Sequence, residues 1–244
     1  MGLTGLSMLA LIFILFLAQN VLIGATESGE CDRRATEVCP QMKVKLTFPG
    51  SAEEINALCP EVIKSLDCLH KHHEMCPEAP GAPLNPEQNE DVNSLIRDIC
   101  NRDSLLHKVL SKSAGCIKST VLNMREAIFA PRLQLRQAYI RYRESAGEST
   151  ELETMPIEEK NRFYCLNHFQ DISLMLATVE DKCGTMAKSA VREVVIRSKF
   201  LQAQKCTKEL VRILQSLVDS LELSTEMRSR MSELMTSFVS WEDN

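Results

Sequence analysis

The cysteines between positions 31 and 76 constrain this chain more than any other feature. Cys31 and Cys39 are eight residues apart, and Cys68 and Cys76 repeat that spacing. On a helix, eight residues span a little over two turns, about 12 Å of rise. Two antiparallel helices would therefore place Cys39 opposite Cys68 and Cys31 opposite Cys76, because both pairs of residue numbers sum to 107. The spacing predicts a helical hairpin closed by two disulfide bonds.

The segment between these cysteines carries the signals of a turn. Pro49 and Gly50 are followed by Ser51, and Glu54 stands three residues further on. Ser and Glu at this spacing form a capping box, in which each side chain satisfies a free backbone N–H of the first helical turn. The sequence therefore predicts that the second arm of the hairpin begins just after Ser51.

The first 25 residues predict a secretory signal peptide. They contain no Lys, Arg, Asp or Glu, the segment 6–18 is strongly apolar, and the small residues Gly24 and Ala25 follow it. Gln19 and Asn20 interrupt the apolar run before it is long enough to span a membrane. We expect cleavage after Ala25 and a secreted, extracellular protein without a stable membrane span; the alternative is an uncleaved signal anchor.

All ten cysteines follow this segment. An even number of cysteines in an exported chain predicts five disulfide bonds. The spacing also indicates a duplication within the chain. Cys59, Cys76 and Cys100 are separated by 17 and 24 residues, and Cys165, Cys183 and Cys206 are separated by 18 and 23. If the chain has two related halves, three further pairs follow: Cys59–Cys100, Cys165–Cys206 and Cys116–Cys183. The alternative is that a helical protein of this size produces similar spacings by chance.

Apolar residues recur at helical spacing through the rest of the chain, which predicts an all-α, disulfide-stapled helical array. We expect a first helical half over residues 26–144, an acidic linker over 145–160, and a second half over 161–244 with amphipathic C-terminal helices. The run Ser113-Ala114-Gly115 predicts a break between two helices, and Pro131 predicts an interruption or kink. A further helix is expected from about Thr185 to Lys205.

Two stretches are candidates for binding. Arg132, Arg136 and Arg143 belong to a basic stretch that has no acid from residue 127 to 142, which indicates either a site for an anionic partner or a solvated helix face. The C-terminal apolar residues repeat at spacings of four and three, which is typical of a helical seam. This seam either packs on the second half or forms a surface for a partner helix or an apolar ligand. Its members are Met227, Met231, Leu234, Phe238 and Trp241.

No catalytic or cofactor motif is present. The sequence lacks a Gly-x-Ser-x-Gly elbow, a His-Glu-x-x-His helix and a glycine-rich phosphate loop. His70 and His73 share a helix face, but zinc needs two more ligands and the cysteines are better explained as disulfides. A net charge of −5 argues against a nucleic-acid partner. We therefore expect a non-enzymatic protein without metal or cofactor; the alternative is an extracellular hydrolase of unrecognised type.

Three stretches together carry a resemblance: INALCPEVIKSLDCLHKHHEMC, RDICNRDSLLHKVLSKSAGCIKS and FYCLNHFQDISLMLATVEDKCGTMA. Their cysteine spacing resembles the 27 kDa haemolymph glycoprotein family of arthropods and the related cysteine-rich helical secreted domains of nematodes and chelicerates. The resemblance covers roughly Cys31 to Cys206 and implies a secreted, all-helical protein of body fluid or secretion. The chain departs from the pattern at Leu174, where a cysteine is expected, and it has no Asn-x-Ser/Thr sequon for N-glycosylation.

Overall fold

The computed structural model describes residues 30–39, 49–77, 86–151 and 153–241, so the predicted signal peptide lies outside the described residues. A short 3₁₀ turn, Glu30–Asp32, comes first. The α-helices that follow are α1 (Ala35–Val38), α2 (Ala52–Met75), α3 (Pro86–Cys100), α4 (Leu105–Ser145), α5 (Ile157–Cys183), α6 (Thr185–Arg197), α7 (Phe200–Ala203), α8 (Lys208–Ser220) and α9 (Thr225–Trp241). These four ranges contain no β-strand, and the predicted all-α class is confirmed. None of the helices described has the length and apolar character needed to cross a bilayer.

The chain divides into two compact units that are interleaved in sequence. Unit 1 comprises Met1–Ser119 and Ser189–Phe200, and unit 2 comprises Thr120–Lys188 and Leu201–Asn244. The predicted linker, residues 145–160, joins α4 to α5 inside unit 2. The compact units therefore divide the chain differently from the predicted halves, and the internal repeat stays a hypothesis.

Unit 1 contains the disulfide ladder expected from the cysteine spacing. Cys31 is bonded to Cys76 and Cys39 to Cys68, with Cα–Cα distances of 5.1 and 5.7 Å. The arm before the turn is less regular than predicted, since Cys31 lies in the 3₁₀ turn and Cys39 follows the four-residue helix α1. Helices this short are marginal on their own, so the two bridges to α2 hold this arm in place.

The same unit contains a third bridge, which ties α2 to α3. Cys59 and Cys100 are bonded with a Cα–Cα distance of 5.5 Å, as the repeat argument predicted. Cys59 precedes Pro60 in the interior of α2, and the helix continues through this proline. The apolar residues of α3 that lie on one face, Val92, Leu95, Ile96 and Ile99, are buried.

At the start of α2 the Ser51 half of the capping box is confirmed, whereas the Glu54 side chain reaches back to Gly50 instead of the N-cap residue. The backbone N–H of Glu54 donates to the Ser51 hydroxyl at 3.2 Å, and the Glu54 carboxylate accepts the backbone N–H of Gly50 at 2.7 Å. The Glu54 carboxylate also lies 3.4 Å from the ammonium of Lys118 on α4. The turn before α2 is therefore fixed both locally and by a side chain 64 residues away.

The predicted helix break at Ser113-Ala114-Gly115 is wrong, because α4 runs without interruption from Leu105 to Ser145. Ala114 and Ile117 are buried, so tertiary packing holds this stretch in the helix. Glycine serves a different purpose here: a Cβ atom on Gly115 would lie 3.2 Å from the carbonyl oxygen of Gly50. Its missing side chain lets the turn before α2 approach α4 closely.

The helix expected from Thr185 to Lys205 is interrupted. Helix α6 ends at Arg197, and Lys199 adopts a left-handed backbone with φ of 55° before α7 begins. Within unit 1 the Arg197 guanidinium contacts Asp98 at 2.7 Å and the Lys199 ammonium contacts Asp91 at 2.7 Å. Both cations are buried, so the acidic face of α3 holds the chain where α6 stops.

Unit 2 is built around α5, which is buried on most sides. Helix α9 packs against α5 and α8, and the rings of Phe169 and Phe238 meet edge to face with centroids 5.8 Å apart. Cys165 and Cys206, both fully buried, form the predicted bridge with a Cα–Cα distance of 5.5 Å. Gly184 ends α5 with φ of 90°, a conformation that glycine adopts readily.

The last predicted pair, Cys116 and Cys183, belongs to different units. Both of these cysteines are disulfide-bonded, and the chain has no free cysteine. Every thiol of the protein is therefore committed to a bridge, which is the pattern expected in an oxidising compartment.

Candidate functional site

A row of charged and polar side chains joins α4 to α5 along one side of unit 2. We call it the α4–α5 polar row, and its members are Arg132, Tyr139, Arg143, Glu159 and Asp171. The two helices run antiparallel, because residues later in α4 contact residues earlier in α5. This row contains two of the three arginines predicted to bind an anion, so it is the place where the structure tests what that basic stretch does.

One end of the row is a buried carboxylate bound by an arginine. Arg132 Nε donates to both oxygens of Asp171 at 2.9 Å, and Arg132 Nη2 makes a further contact with Oδ2. The Asp171 side chain is 1% exposed, whereas that of Arg132 is 46% exposed. The guanidinium thus covers the carboxylate on the side that faces solvent.

The other end of the row centres on Glu159. Its carboxylate accepts a hydrogen bond from the Tyr139 hydroxyl and lies 2.9 Å from Arg143 and 3.0 Å from Arg162. The Arg143 side chain is 5% exposed; the same Nη1 that contacts Glu159 lies 3.0 Å from Glu148, and Nε donates to the carbonyl of Ser149 at 2.7 Å. Arg143 therefore has its donors directed to groups of its own unit.

The backbone after α4 is shaped to reach Arg143. Gly147 has a φ of 71°, and the N–H of Glu148 donates to the carbonyl of Arg143 at 3.0 Å. This reversal is a glycine-based helix C-cap. It turns the acidic segment back so that Glu148 and Ser149 reach the guanidinium of Arg143.

Burial moves the ionisation of several groups in and beside the row. It raises the pKa of Asp171 even though the hydrogen bonds from Arg132 oppose it. Burial and the Glu159 hydrogen bond raise the pKa of Tyr139, so the phenol stays protonated and donates. His168 lies one helical turn before Asp171, and burial together with the charge of Arg132 lowers its pKa to about 4.

These ionisation states bear on chemistry at neutral pH. Efficient general acid–base catalysis uses a group whose pKa lies near the working pH. In the row the phenol of Tyr139 is held protonated and the imidazole of His168 is held neutral, while Glu159 is shared among three donors. The arrangement is suited to locking α4 onto α5 through paired charges.

The third predicted anion-binding residue, Arg136, differs from the other two. It is exposed on α4 and makes no hydrogen bond or ion pair with any side chain in the described part of the protein. Anion binding therefore stays a prediction, and Arg136 is the member of the set whose charge is not already balanced by a neighbouring acid.

The interpretation of the C-terminal seam as a binding surface is wrong for four of its five residues. Met227, Met231, Leu234 and Phe238 are buried in the core of unit 2, because α9 turns this face toward α5 and α8. Trp241 differs, with 42% of its surface exposed at the end of α9. The alternative interpretation, packing on the second half, describes the four buried residues.

Sequence reasoning missed the buried cations of unit 1, Arg197 and Lys199. The available signal was the seven-residue spacing of Asp91 and Asp98, which places both acids on one face of α3. Arg197 also contacts Glu193 at 2.7 Å and Ser94 at 3.1 Å. This cluster fixes the junction between α6 and α7, and each of its acids has a cationic partner.

The histidine-rich end of α2 shows local pairing. His70 lies 3.2 Å from Glu74, its i+4 neighbour, and His72 is buried. Within the part of the chain that the structure covers, no three His, Cys, Asp or Glu side chains are grouped as metal ligands would be.

In comparisons with known proteins, no protein-family model, curated protein or solved structure matches the chain.

Proposed function

We propose that this protein is secreted into a body fluid or secretion and acts there by binding a protein partner or an apolar ligand, without enzymatic activity. The observation that carries the proposal is the commitment of every cysteine to a disulfide bond. Disulfides of this number persist in extracellular compartments and are reduced in the cytosol. The resemblance to haemolymph glycoproteins and to related secreted helical domains supports the same environment.

The arrangement of the polar groups supports binding over catalysis. The carboxylates of the α4–α5 polar row are engaged by arginines of the same unit. By contrast, apolar side chains are exposed on α4, among them Phe129 at 72%. An exposed large apolar patch is a more informative sign of an interaction surface than a paired charge is.

The first test is export. We expect a full-length chain expressed in secretory cells to appear in the medium with an N-terminus near Thr26. Recovery of the chain in a membrane fraction with Met1 intact would overturn the secreted assignment. Alkylation before and after reduction supplies a second readout, since a secreted protein with five bridges gains ten labels only after reduction.

The second test is the bound species. Native mass spectrometry of the protein purified from its own secretion is expected to show an added mass from a lipid or a protein. A matched sample unfolded in acid gives the mass of the chain alone, so the difference identifies the ligand class. Release of a hydrolysed product from ester, peptide or glycoside substrates would instead favour the alternative of an extracellular hydrolase.

The hydrolase alternative has its own discriminating variant. If the α4–α5 polar row were catalytic, Asp171→Asn would abolish hydrolysis at neutral pH while retaining the hydrogen-bonding shape of the side chain. Asp219→Asn, which removes an exposed carboxylate on α8, is the matched control. Loss of activity in the first variant alone would assign chemistry to the row and overturn the non-enzymatic proposal.

A further inference from the structure

The long helix α4 carries an exposed apolar stripe in unit 2. Phe129, Leu122 and Leu133 are 72%, 56% and 45% exposed, and Ile140 is half-buried. Their spacings are seven, four and seven residues, which places all four on one face of the helix. Three large apolar side chains exposed on one helix face are unusual for scattered surface residues and typical of an interface.

The spacing of the apolar positions along this stripe is the same in both directions. Leu122 and Ile140 lie nine residues on either side of Pro131, and Phe129 and Leu133 lie two residues on either side. A second copy of α4 running antiparallel, with the two-fold axis at Pro131, would therefore place Phe129 opposite Leu133 and Leu122 opposite Ile140. An interface of this kind is isologous, because the same patch serves both copies.

The charges beside the stripe follow the same symmetry. Glu126 and Arg136 lie five residues on either side of Pro131, and both are exposed. Neither makes an ion pair with a side chain in the described ranges. In the antiparallel arrangement Glu126 of one copy meets Arg136 of the other, twice per dimer. The surface is thus complementary to itself in charge as well as in apolar pattern.

Pro131 does not obstruct such a contact. At about 100° per residue, its side chain points to the opposite side of α4 from the centre of the stripe. The residue is half-buried, as expected on the side that faces the unit's own core. The axis of the arrangement is therefore free of the proline ring.

We propose that the protein forms a two-fold symmetric homodimer through the α4 stripe of Leu122, Phe129, Leu133 and Ile140, with reciprocal Glu126–Arg136 ion pairs. The contact extends over about 27 Å of helix. A contact along one helix involves fewer residues than a standard protein interface does. The dimer is therefore weak and is populated at protein concentrations on the order of tens of micromolar.

Sedimentation velocity of the secreted, disulfide-bonded protein tests the dimer directly. The wild type is expected to shift from monomer to dimer with increasing concentration. Glu126→Arg and Arg136→Glu each place like charges across the axis, so each is expected to weaken the dimer by about tenfold or more, or about 1.4 kcal/mol. Phe129→Gln is expected to weaken it comparably, whereas Ile213→Gln, an equally polar change at an exposed site on α8, leaves it unchanged.

Mixing the two charge variants gives the sharpest outcome. A Glu126→Arg chain and an Arg136→Glu chain pair Arg with Glu at both positions, so the mixture is expected to form a heterodimer that neither variant forms alone. The control mixture combines Asp219→Arg with Lys112→Glu, which carry the same charge changes at exposed sites away from the stripe. It is expected to behave as the wild type does.

Two results would overturn the proposal. A wild type that stays monomeric at about 300 µM would show that the stripe does not self-associate. A dimer that forms but is indifferent to both charge variants and to their mixture would show that the copies meet elsewhere. If the monomeric wild type instead sediments with anionic vesicles and Phe129→Gln does not, the stripe serves a lipid surface and the second copy is excluded as its occupant.

Discussion

The carbonyl oxygen of Gly50 lies 3.2 Å from the point where a Cβ atom of Gly115 would stand. Gly50 precedes the N-cap of α2, and Gly115 is in the interior of α4. Glycine inside a helix normally costs about 0.5–1 kcal/mol relative to alanine. Here that cost is offset by a close approach of two segments that any larger residue would push apart.

The first prediction follows from this approach. Gly115→Ala is expected to gain none of the usual helix stabilisation, and Gly115→Val is expected to lose about 1–3 kcal/mol in the free energy of unfolding. Denaturant titration measures both. Ala127→Val, at an exposed position of the same helix, reports the intrinsic cost of valine and should be much smaller. Equal losses at the two positions would remove the packing role of Gly115.

The second prediction concerns the difference in solvent exposure between the side chains of Arg132 and Asp171, which are 46% and 1% exposed. Arg132→Met leaves a carboxylate with 1% exposure unpaired, so the loss at neutral pH is expected to be about 3–5 kcal/mol. Asp171→Asn leaves the half-exposed guanidinium in contact with water and should cost less. The deficit of Arg132→Met is expected to shrink as the pH falls, because protonation removes the unpaired charge of Asp171. Thermal unfolding at several pH values checks both statements, and a larger loss in Asp171→Asn would contradict them.

The third prediction is a loss of stability in mild acid. The pKa of His168 is lowered to about 4 in the folded protein, against an ordinary value of 6.5. Its neutral form is therefore favoured by folding. As far as His168 is concerned, the free energy of unfolding is at its full value above pH 6.5, and the loss grows as the pH drops, reaching up to about 3 kcal/mol by pH 4. His168→Gln is expected to flatten the decline, whereas His70→Gln, at an exposed site on α2, leaves it unchanged.

The fourth prediction concerns Gln170 on α5. The residue is fully buried, and neither its amide nitrogen nor its amide oxygen has a hydrogen-bond partner among the described residues. Burying a polar group in this way costs about 1–3 kcal/mol. Gln170→Met, with a similar volume and no such group, is expected to raise the free energy of unfolding by about that amount. A destabilised variant would mean that the amide is satisfied in solution.

The fifth prediction is the stability supplied by the Cys165–Cys206 bridge. It spans 41 residues, and the chain-entropy model gives such a loop about 4 kcal/mol. Removing it with Cys165→Ala and Cys206→Ala together is expected to lower the free energy of unfolding by about 2–4 kcal/mol. Peptide mapping without reduction checks that the other bridges are intact in the variant. The same mapping on the wild type tests the predicted Cys116–Cys183 pair.

The cysteine pairs were predictable because their spacing encodes geometry. The residue numbers of Cys31 and Cys76 have the same sum as those of Cys39 and Cys68. Two antiparallel segments bring together residues whose numbers have a constant sum, so the spacing predicts both pairs. The Ser51 cap of α2 was predictable for a related reason, since it depends on residues close in sequence.

The structural features that could not be predicted from the sequence depend on contacts between residues that are far apart in the chain. The close approach that requires glycine at position 115 is made by Gly50, 65 residues earlier. The basic stretch predicts a site for external anions because Asp171, the partner of Arg132, is 39 residues away and outside the local pattern. The break after Arg197 depends on acids of α3 that are about 100 residues earlier. Local patterns carry no information on such contacts.

The two bridges of the ladder are nested, since the segment between Cys39 and Cys68 lies wholly inside the segment between Cys31 and Cys76. A protease that cuts once between Cys39 and Cys59 therefore produces two pieces that these two bridges still join, and a cut between Cys59 and Cys68 leaves the Cys59–Cys100 bridge across it as well. Reduction of either bridge alone does not release them. A single cut at that end therefore leaves the protein as one molecule until every bridge that spans the cut is reduced.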